Sequence, residues 1–303
     1  MPHFCSVFFA CLYHKYFSSK IEQLFEAFLG IDEHADRKKM VKRIKLFIKK
    51  FIINNYSFIY QIILKDKQMS YLILVRHGQS LWNLEKKFTG WVDVDLTENG
   101  KLEAKKAGQL IKQKQIEINL YYSSFQLRAK NTLQIIQKEL GDFKDVKSAW
   151  ELNERHYGAL TGLNKDEMKK KLGEEKVHQF RRSWDLRPDP LDKKNPYHPL
   201  NIETYREIPL DKIPDTESLK DTYERVIKFY SEEIENKKNK NVLISAHGNS
   251  IRALCKHLFN LDENEISKLE IPTGNPLLIE FDNNKISYCK YLDQERAKDL
   301  LVF

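Results

Sequence analysis

Short apolar runs alternate with longer amphipathic stretches along most of the chain, beginning at about residue 70. The runs have the length of buried strands, and the first of them reads YLILVRH. The predicted strands are 71–77, 119–124, a short one at 146–148, and 241–247. Two further runs, 276–282 and 285–292, predict a hairpin turned by Asn283 and Asn284.

The stretches between these runs carry apolar residues near helical spacing. In the first of them, Thr97 is a suitable N-cap, and the apolar positions are Leu102, Ala107, Leu110 and Ile111. The predicted helices are 96–113, 126–140, 216–235 and 250–259. Strands that alternate with helices predict an α/β fold, a three-layer αβα sandwich around a mostly parallel central sheet.

The first 69 residues differ in character from the rest, which predicts an N-terminal helical extension followed by a second domain at 70–303. Residues 1–68 carry 12 Lys and Arg against 6 Asp and Glu, most of the excess in a chain of net charge +8. Segment 38–52 reads as a basic amphipathic helix, and three interpretations of it stay open. It could bind an anionic membrane surface, be an accessory helix with a solvated basic face, or be translated from upstream of a true start at Met69.

Charge balance, cysteine spacing and the length of apolar runs indicate which partners and which cellular compartment to expect. The residues after 68 are nearly balanced in charge, so nucleic acid is not an expected partner, and anion binding there must rely on local Arg and Lys clusters. Cys5, Cys11, Cys255 and Cys289 lack metal-ligand spacing, which favours a reduced, cytoplasmic compartment. The sequence has no run of 18 apolar residues, so no membrane span is expected.

The first apolar run ends in Arg76, His77 and Gly78, at the edge of a parallel sheet where ligands bind. Gly78 removes a side chain where the strand turns into a helix, which lets an anion approach free N–H groups. The guanidinium of Arg76 can grip two phosphate oxygens, and neutral His77 has a lone pair that can attack phosphorus. Together they predict a phosphohistidine site, although an isolated triplet of this kind is more often a packed or solvent-facing histidine.

A second pair, His247-Gly248, closes another predicted strand. Protonated His247 could meet the charge of a phosphoryl group, and Asn249 offers an amide, whereas a core histidine is the alternative. The leaving oxygen also needs a proton source, for which Glu151 and Glu154 are both candidates on pattern alone.

Further anion-binding groups lie in stretches predicted to be loops or helix starts. Thr89 and Gly90 could surround a carboxylate, and Arg128 opens the helix at 126–140. Arg181 and Arg182 precede a polar segment, 183–215, and could lie on a loop that closes over the site. A solvated surface position is the alternative for such an arginine pair.

The motifs, and their order along the chain, resemble the signature blocks of the cofactor-dependent phosphoglycerate mutases of the histidine phosphatase superfamily. The blocks are LVRHGQSLWN, FTGWVDVDLTENG, YYSSFQLRAKNTL, LNERHYGALTGLNK, RRSW, AHGNSIRAL and IPTGNPLLIEF, which together span roughly residues 70–292. Within that superfamily, FTGW and NERHYGALTGLNK are typical of mutase-like members rather than of the general phosphatases.

The resemblance implies interconversion of 3-phosphoglycerate and 2-phosphoglycerate in glycolysis and gluconeogenesis, through a phosphohistidine, with 2,3-bisphosphoglycerate as primer and no metal. It implies that His77 is the nucleophile and Glu154 the general acid and base. Arg76, Arg128 and His247 would hold the transferring group. The implied substrate-binding positions are Asn83, Thr89, Gly90, Tyr157, Lys165, Arg181, Arg182 and Asn249. Members of the family also form homodimers or homotetramers, which is the assembly expected here.

The sequence departs from the family pattern in three places, of which the change at Gln79 is expected to matter little because Gln and Glu are both polar. Gln79 stands where many members have Glu, residues 185–215 follow the pattern poorly, and the C-terminal tail is short. A shorter tail could admit water to a phosphohistidine. The rival interpretation is therefore a phosphohydrolase, or a bisphosphoglycerate synthase and phosphatase, that uses the same His77. A non-catalytic binding protein is disfavoured because His77, Glu154 and His247 are intact.

Overall fold

A computed structural model describes residues 69–237 and 239–297, and these residues form one six-stranded sheet. The strands are β1 (Met69–Arg76), β2 (Leu120–Ser123), β3 (Val146–Ser148), β4 (Val242–Ala246), β5 (Leu277–Asp282) and β6 (Lys285–Tyr291). Each strand lies on one of the apolar runs, and its ends agree to within two residues. The strand predictions are confirmed.

The sheet is mixed and mostly parallel, with the strand order β3-β2-β4-β1-β5-β6. Strands β1 to β4 pair in parallel, whereas β5 runs antiparallel to β1 and β6 antiparallel to β5. Asn283 and Asn284 both have positive φ, as a tight hairpin turn between twisted strands requires. The predicted α/β class and the predicted hairpin are therefore confirmed.

Helices cover both faces of the sheet. They are α1 (Leu81–Leu84), α2 (Glu98–Lys112), α3 (Leu127–Leu140), α4 (Lys165–Leu172), α5 (Glu174–Arg182), α6 (Leu219–Glu233), α7 (Gly248–Leu258) and α8 (Glu263–Lys268). On one face, Ile73 of β1 shares a core with Ile111 of α2 and Leu133 of α3. On the other face, Leu74 of β1 shares a second core with Val226 of α6. Because side chains alternate along a strand, β1 contributes to both cores.

The N-cap of α2 is the predicted residue, but the residues on its buried face differ from the predicted apolar positions. Thr97 caps the helix, since its hydroxyl accepts a hydrogen bond from Gly100 N–H at 3.0 Å. Leu102 is exposed, so its placement on the apolar side of α2 is wrong. The buried face is built from small residues, among them Ala104 and Gly108, because α2 packs closely against α3: a Cβ at Gly108 would lie 2.7 Å from the Glu139 side chain.

Four helices, α1, α4, α5 and α8, were not predicted. Helices α4 and α5 are rich in Lys and Glu, and each buries a single residue, Met168 and Val177, so neither has an apolar stripe to recognise. As a consequence, Arg181 and Arg182 lie at the end of α5 and not on a loop. The segment 183–215 after them contains three short 3-10 turns and buries Tyr205.

The basic helix predicted at 38–52, and all but the last residue of the extension 1–69, lie outside the described residues. In the part of the chain that the structure does describe, no helix is both long enough and apolar enough to cross a membrane.

Candidate active site

His77 and His247 meet because β1 and β4 are neighbouring parallel strands. Arg76 pairs in register with Ala246, so the residue that follows each strand is a histidine. The His77 N–H donates to the Ala246 carbonyl at 3.0 Å, and the two imidazole rings lie 5.0 Å apart between centroids. The structure therefore brings the two His-Gly pairs together at the carboxyl edge of the sheet, where the sequence placed them.

The imidazole of His77 is buried and oriented by the backbone. Its Nδ1 lies 2.7 Å from the Gly78 carbonyl oxygen, and because a carbonyl only accepts, Nδ1 must carry the hydrogen. The lone pair is then on Nε2. Burial, followed by the nearby charges of Arg128 and Arg76, holds the pKa of His77 well below its ordinary value of 6.5, against the opposing effect of the Gly78 carbonyl. His77 is thus a neutral imidazole with a free Nε2, the form that can act as a nucleophile.

Backbone contacts fix the turn that follows His77. A Cβ at Gly78 would lie 2.1 Å from the Gly100 carbonyl oxygen, and a Cβ at Gly100 would lie 2.1 Å from the Gln79 carbonyl oxygen. The Gly78 N–H also donates to the Thr132 hydroxyl at 3.0 Å. The start of α2 therefore abuts the turn with no room for a side chain at either glycine.

His247 is also buried, and its two ring nitrogens differ in environment. Nε2 lies 2.7 Å from the Ser124 hydroxyl, whereas Nδ1 is buried without a partner among the described residues. Burial, then Arg128, His77 and Arg76, hold the pKa of His247 well below 6.5. Burial and three arginines, Arg225 among them, thus favour a neutral imidazole here, and protonation of His247 in contact with a phosphoryl group stays a prediction.

Two arginines place cationic groups beside the histidines. Arg76 donates from Nη1 to the Ile271 carbonyl at 2.7 Å, and Arg128 donates to the carbonyls of Val92 and Gly90, both at 2.9 Å. The Nε atoms of both arginines are buried and have no partner among the described residues. Free guanidinium donors in a buried cationic site fit an anionic group with several acceptor oxygens, such as a phosphate.

Glu154 faces this cluster with one of its two carboxylate oxygens occupied. Oε1 accepts hydrogen bonds from Arg155 N–H at 2.8 Å, Asn249 N–H at 3.2 Å and Asn249 Nδ2 at 2.8 Å. Oε2 lies 3.8 Å from the position that a Cβ on Gly248 would take, beside Arg76. Glu151 instead has α6 side chains, Arg225, Lys228 and Glu232, as its charged neighbours. The geometry thus favours Glu154 over Glu151 as the proton carrier.

Three more predicted residues lie beside this cluster: Tyr157, Lys165 and Arg181. Asn249 Nδ2 donates to the Tyr157 hydroxyl at 3.0 Å. Burial by itself would raise the pKa of Tyr157, but Arg155 and Arg181 outweigh it and the pKa is lowered. Burial lowers the pKa of Lys165 to about 8, with Arg181 and Arg76 acting in the same direction and Tyr157 opposing.

The remaining predicted residues have local partners. Asn83 accepts the Ser80 N–H at 3.2 Å and forms a capping box at the start of α1. Thr89 is buried, and the Gly90 carbonyl is held by the side chains of Gln126 and Arg128. Arg182 forms an ion pair with Glu270, so the structure does not bring its side chain into the cluster.

Sequence reasoning missed several residues that hold the site together. Gln126 accepts the Glu154 N–H at 3.0 Å and an Arg128 N–H at 3.2 Å, and it follows the carboxyl end of β2, a position that could have pointed to it. Arg225 donates to the Glu154 carbonyl at 3.0 Å and pairs with Glu217. Arg252 donates to Asn249 Oδ1 at 3.0 Å, and its signal in the sequence was a charged residue among the apolar residues of 251–255.

Comparison with known proteins agrees with this geometry. A family model described as the histidine phosphatase superfamily, branch 1, matches residues 72–294. A 2,3-bisphosphoglycerate-dependent phosphoglycerate mutase of Pelagibacter ubique (strain HTCC1062) is 70% identical over 238 residues, which are 78% of this chain and 100% of the relative. The chain belongs to the cofactor-dependent phosphoglycerate mutases of the histidine phosphatase superfamily. A mutase of the same description from Borreliella burgdorferi (strain ZS7) is 47% identical over 232 residues, 75% of this chain and 94% of that relative.

More distant solved structures share the fold with this phosphoglycerate mutase family member. A mycobacterial glucosyl-3-phosphoglycerate phosphatase superposes with a TM-score of 0.53 at 21% identity, over 73% of this chain and 96% of that one. Bacillus stearothermophilus YhfR superposes with a TM-score of 0.54 at 22% identity, over 72% and 94%. At this level of sequence identity, the similarity supports the same fold and nothing about the reaction.

Within residues 69–237 and 239–297, no group of three or more His, Cys, Asp or Glu side chains is arranged to hold a metal ion. A metal-independent reaction stays a prediction, which assays with and without a chelator would test.

Proposed function

We propose that this protein interconverts 3-phosphoglycerate and 2-phosphoglycerate by transfer of a phosphoryl group to and from His77. The observation that carries the proposal is the pairing of a neutral, backbone-oriented His77 with unpartnered Arg76, Arg128 and His247 nitrogens beside it. The identity to phosphoglycerate mutases over most of the chain supports the choice of substrate.

His77 would attack phosphorus through Nε2. The Gly78 carbonyl holds the hydrogen on Nδ1, so the lone pair on Nε2 is available without prior proton loss. When the imidazole becomes positively charged on phosphorylation, the same carbonyl stabilises that charge through the Nδ1–H. The buried ring is also shielded from water, which favours transfer to a substrate oxygen over hydrolysis.

Glu154 would move the proton of the substrate hydroxyl. Because three N–H donors fill Oε1, the proton is expected on Oε2, the oxygen on the side of Gly248 and Arg76. A carboxyl group accepts the proton when the hydroxyl attacks and returns it when the oxygen leaves. One residue can therefore serve both directions of the reaction.

The cationic side chains would bind a ligand that carries phosphate and carboxylate groups. The unpartnered donors of Arg76, Arg128 and His247 fit a phosphoryl group at His77, and Lys165 and Arg181 supply positive charge next to Tyr157. The same set fits 2,3-bisphosphoglycerate, which when bound supplies the phosphoryl group that primes His77. The proposal also includes four other predicted substrate positions, Asn83, Thr89, Gly90 and Asn249, and leaves out Arg182, whose side chain pairs with Glu270.

A paired assay tests the function. The protein is incubated with 3-phosphoglycerate and a trace of 2,3-bisphosphoglycerate, and 2-phosphoglycerate and free phosphate are followed together. The proposal expects 2-phosphoglycerate to exceed free phosphate and His77→Ala to abolish both. Predominant release of phosphate would replace the mutase with the phosphohydrolase, and an active His77→Ala variant would overturn the nucleophile.

We further propose a division of the chain and its setting. Residues 70–303 would form the catalytic domain, a three-layer αβα sandwich, and residues 1–69 an accessory extension, in a cytoplasmic homodimer or homotetramer. The match of 238 residues to the whole Pelagibacter relative supports the division. Deleting residues 1–68 should change kcat by less than about twofold, since a domain with its own core folds alone. An inactive but folded truncated protein would contradict it, and sedimentation would give the assembly.

A further inference from the structure

Ser124, at the carboxyl end of β2, is fully buried against the His247 ring. Its Oγ lies 2.7 Å from His247 Nε2 and accepts a hydrogen bond from the Gln126 N–H at 3.2 Å. We propose that Ser124 is a positioning residue that holds His247 in the neutral tautomer with its hydrogen on Nδ1. The catalytic consequence rests on the proposed function, whereas the tautomer rests on these contacts alone.

A count of donors and acceptors separates the two neutral tautomers. A serine hydroxyl has one hydrogen and two acceptor lone pairs, and the Gln126 N–H uses one lone pair of Ser124. If His247 carried its hydrogen on Nε2, that N–H would use the second lone pair. The buried hydroxyl hydrogen would then have no acceptor within the described part of the chain. If the hydroxyl instead donates to Nε2, both groups are satisfied, and the ring hydrogen must be on Nδ1.

The surroundings of His247 disfavour the doubly protonated ring, the third possible form. The charged groups with the largest effects on its pKa are Arg128, Arg76 and Arg225, all cationic, together with the ring of His77. Burial and these charges place the pKa of His247 well below 6.5. A proton on both nitrogens would therefore be opposed by burial and by these three arginines.

The tautomer decides what His247 offers to a phosphoryl group. Nδ1 is buried and unpartnered in the described structure, and the His77 ring lies 5.0 Å away between centroids. A hydrogen on Nδ1 gives a donor for a phosphoryl oxygen without uptake of a proton. The other tautomer would present a lone pair to an anion. Ser124 would thus make His247 a preorganised donor while the ring stays neutral.

The form of the ring can be read directly by NMR. In protein labelled with 15N at histidine, two-bond 1H–15N correlations distinguish the Nδ1–H tautomer, the Nε2–H tautomer and the imidazolium. The chain has nine histidines, and loss of one set of signals in His247→Gln assigns His247. The expected result at pH 7, without substrate, is the Nδ1–H tautomer. A dominant Nε2–H tautomer or an imidazolium would overturn the proposal.

Three variants at β2 test the role of the hydroxyl. Ser124→Ala should move His247 toward the Nε2–H form and lower kcat by about tenfold or more with a smaller change in KM, because a transition-state donor is lost. Ser124→Thr, which keeps the hydroxyl, should restore the Nδ1–H signal and most of kcat. Ser123→Ala is the matched control, since Ser123 is equally buried but its hydroxyl has no partner within the described residues. It should change neither readout.

The NMR and kinetic measurements distinguish failure of the Ser124 proposal from failure of the proposed mutase function. An unchanged tautomer in folded Ser124→Ala would overturn the proposal even if kcat fell. Because the NMR measurement uses no substrate, a protein without mutase activity that still shows the Nδ1–H form would refute the proposed function and leave the role of Ser124 intact.

Discussion

Asn249 donates from Nδ2 to Glu154 Oε1 at 2.8 Å, and its backbone N–H reaches the same oxygen at 3.2 Å. Together with the Arg155 N–H at 2.8 Å, these contacts occupy Oε1, and Oε2 is the oxygen proposed to exchange a proton with the substrate. The carboxyl group of Glu154 is thereby oriented before any ligand arrives.

Replacing Glu154 by Gln should remove proton transfer while an acceptor oxygen remains for Asn249. We expect kcat of Glu154→Gln to fall by about 10²–10⁴-fold, the usual contribution of a general acid and base. Steady-state mutase assays measure this, and Glu151→Gln is the control, expected to stay near the parent rate. If Glu151→Gln were the inactive one, the assignment between the two carboxylates would be reversed.

Lys165 should make substrate binding depend on pH. Burial lowers its pKa to about 8, so its positive charge is present below that value and is lost as the pH rises through it. KM for 3-phosphoglycerate should therefore increase between pH 7 and pH 9.5. Lys165→Arg keeps the charge throughout and should flatten this part of the profile. An equal rise of KM in both proteins would assign the effect to another group.

Gly100 should not tolerate a side chain. A Cβ there would lie 2.1 Å from the Gln79 carbonyl oxygen, so either α2 or the turn after His77 must shift. Gly100→Ala should lower the free energy of unfolding by about 3 kcal/mol, the upper range for overpacking, and should reduce kcat as well. Gly141→Ala is the control, because Gly141 has positive φ but nothing within 4 Å of an added Cβ. It should cost about 1 kcal/mol, measured by urea unfolding, with kcat unchanged.

His156 should contribute to loss of stability in acid. Burial lowers its pKa to about 3 in the folded protein, against an ordinary 6.5. Below pH 6.5 the unfolded chain binds a proton that the folded chain does not, so this stabilisation is complete above pH 6.5 and decreases as the pH falls. From pH 6.5 to pH 5 the loss is about 2 kcal/mol.

Unfolding in urea at pH 7.5 and pH 5 measures this difference. His156→Asn keeps an acceptor for the Gly158 N–H, which His156 Nδ1 receives at 3.0 Å, but does not titrate. The variant should lose less stability on acidification than the parent, with the remainder due to His77 and His247, whose pKa values are also lowered. An identical acid loss in parent and variant would rule out this role for His156.

The sequence predicted strands better than helices for a physical reason. Buried strands are short uniform apolar runs, whose ends are marked by polar residues such as Arg76. Helices α4 and α5 gave no such pattern, because their stability depends on one buried side chain each, Met168 and Val177, together with capping by Asn164 at the start of α4. Without an apolar stripe, the pattern cannot tell such a helix from a polar loop.

The sequence predicted the site residues that directly follow a strand and carry the chemistry. It did not predict the residues whose role is to hold another side chain in place. His77 and His247 stand directly after β1 and β4, and the motifs around them name the chemistry. Ser124 and Gln126 stand after β2 in the same way, but their roles depend on which neighbour each hydrogen bond reaches, and this is set by tertiary packing. The pKa of His247 depends on tertiary packing in the same way, since burial and three arginines lower it.

The pairing of β1 with β4 also bears on how the protein folds. Tyr71 and Asn241, at the start of this pair, are 170 residues apart in sequence, and the pair ends at the two histidines. A loop of that length must close before the nucleophile and its donor can meet, and such long-range contacts form late and slowly. The rate at which catalytic activity returns during refolding should therefore report the rate at which β1 pairs with β4.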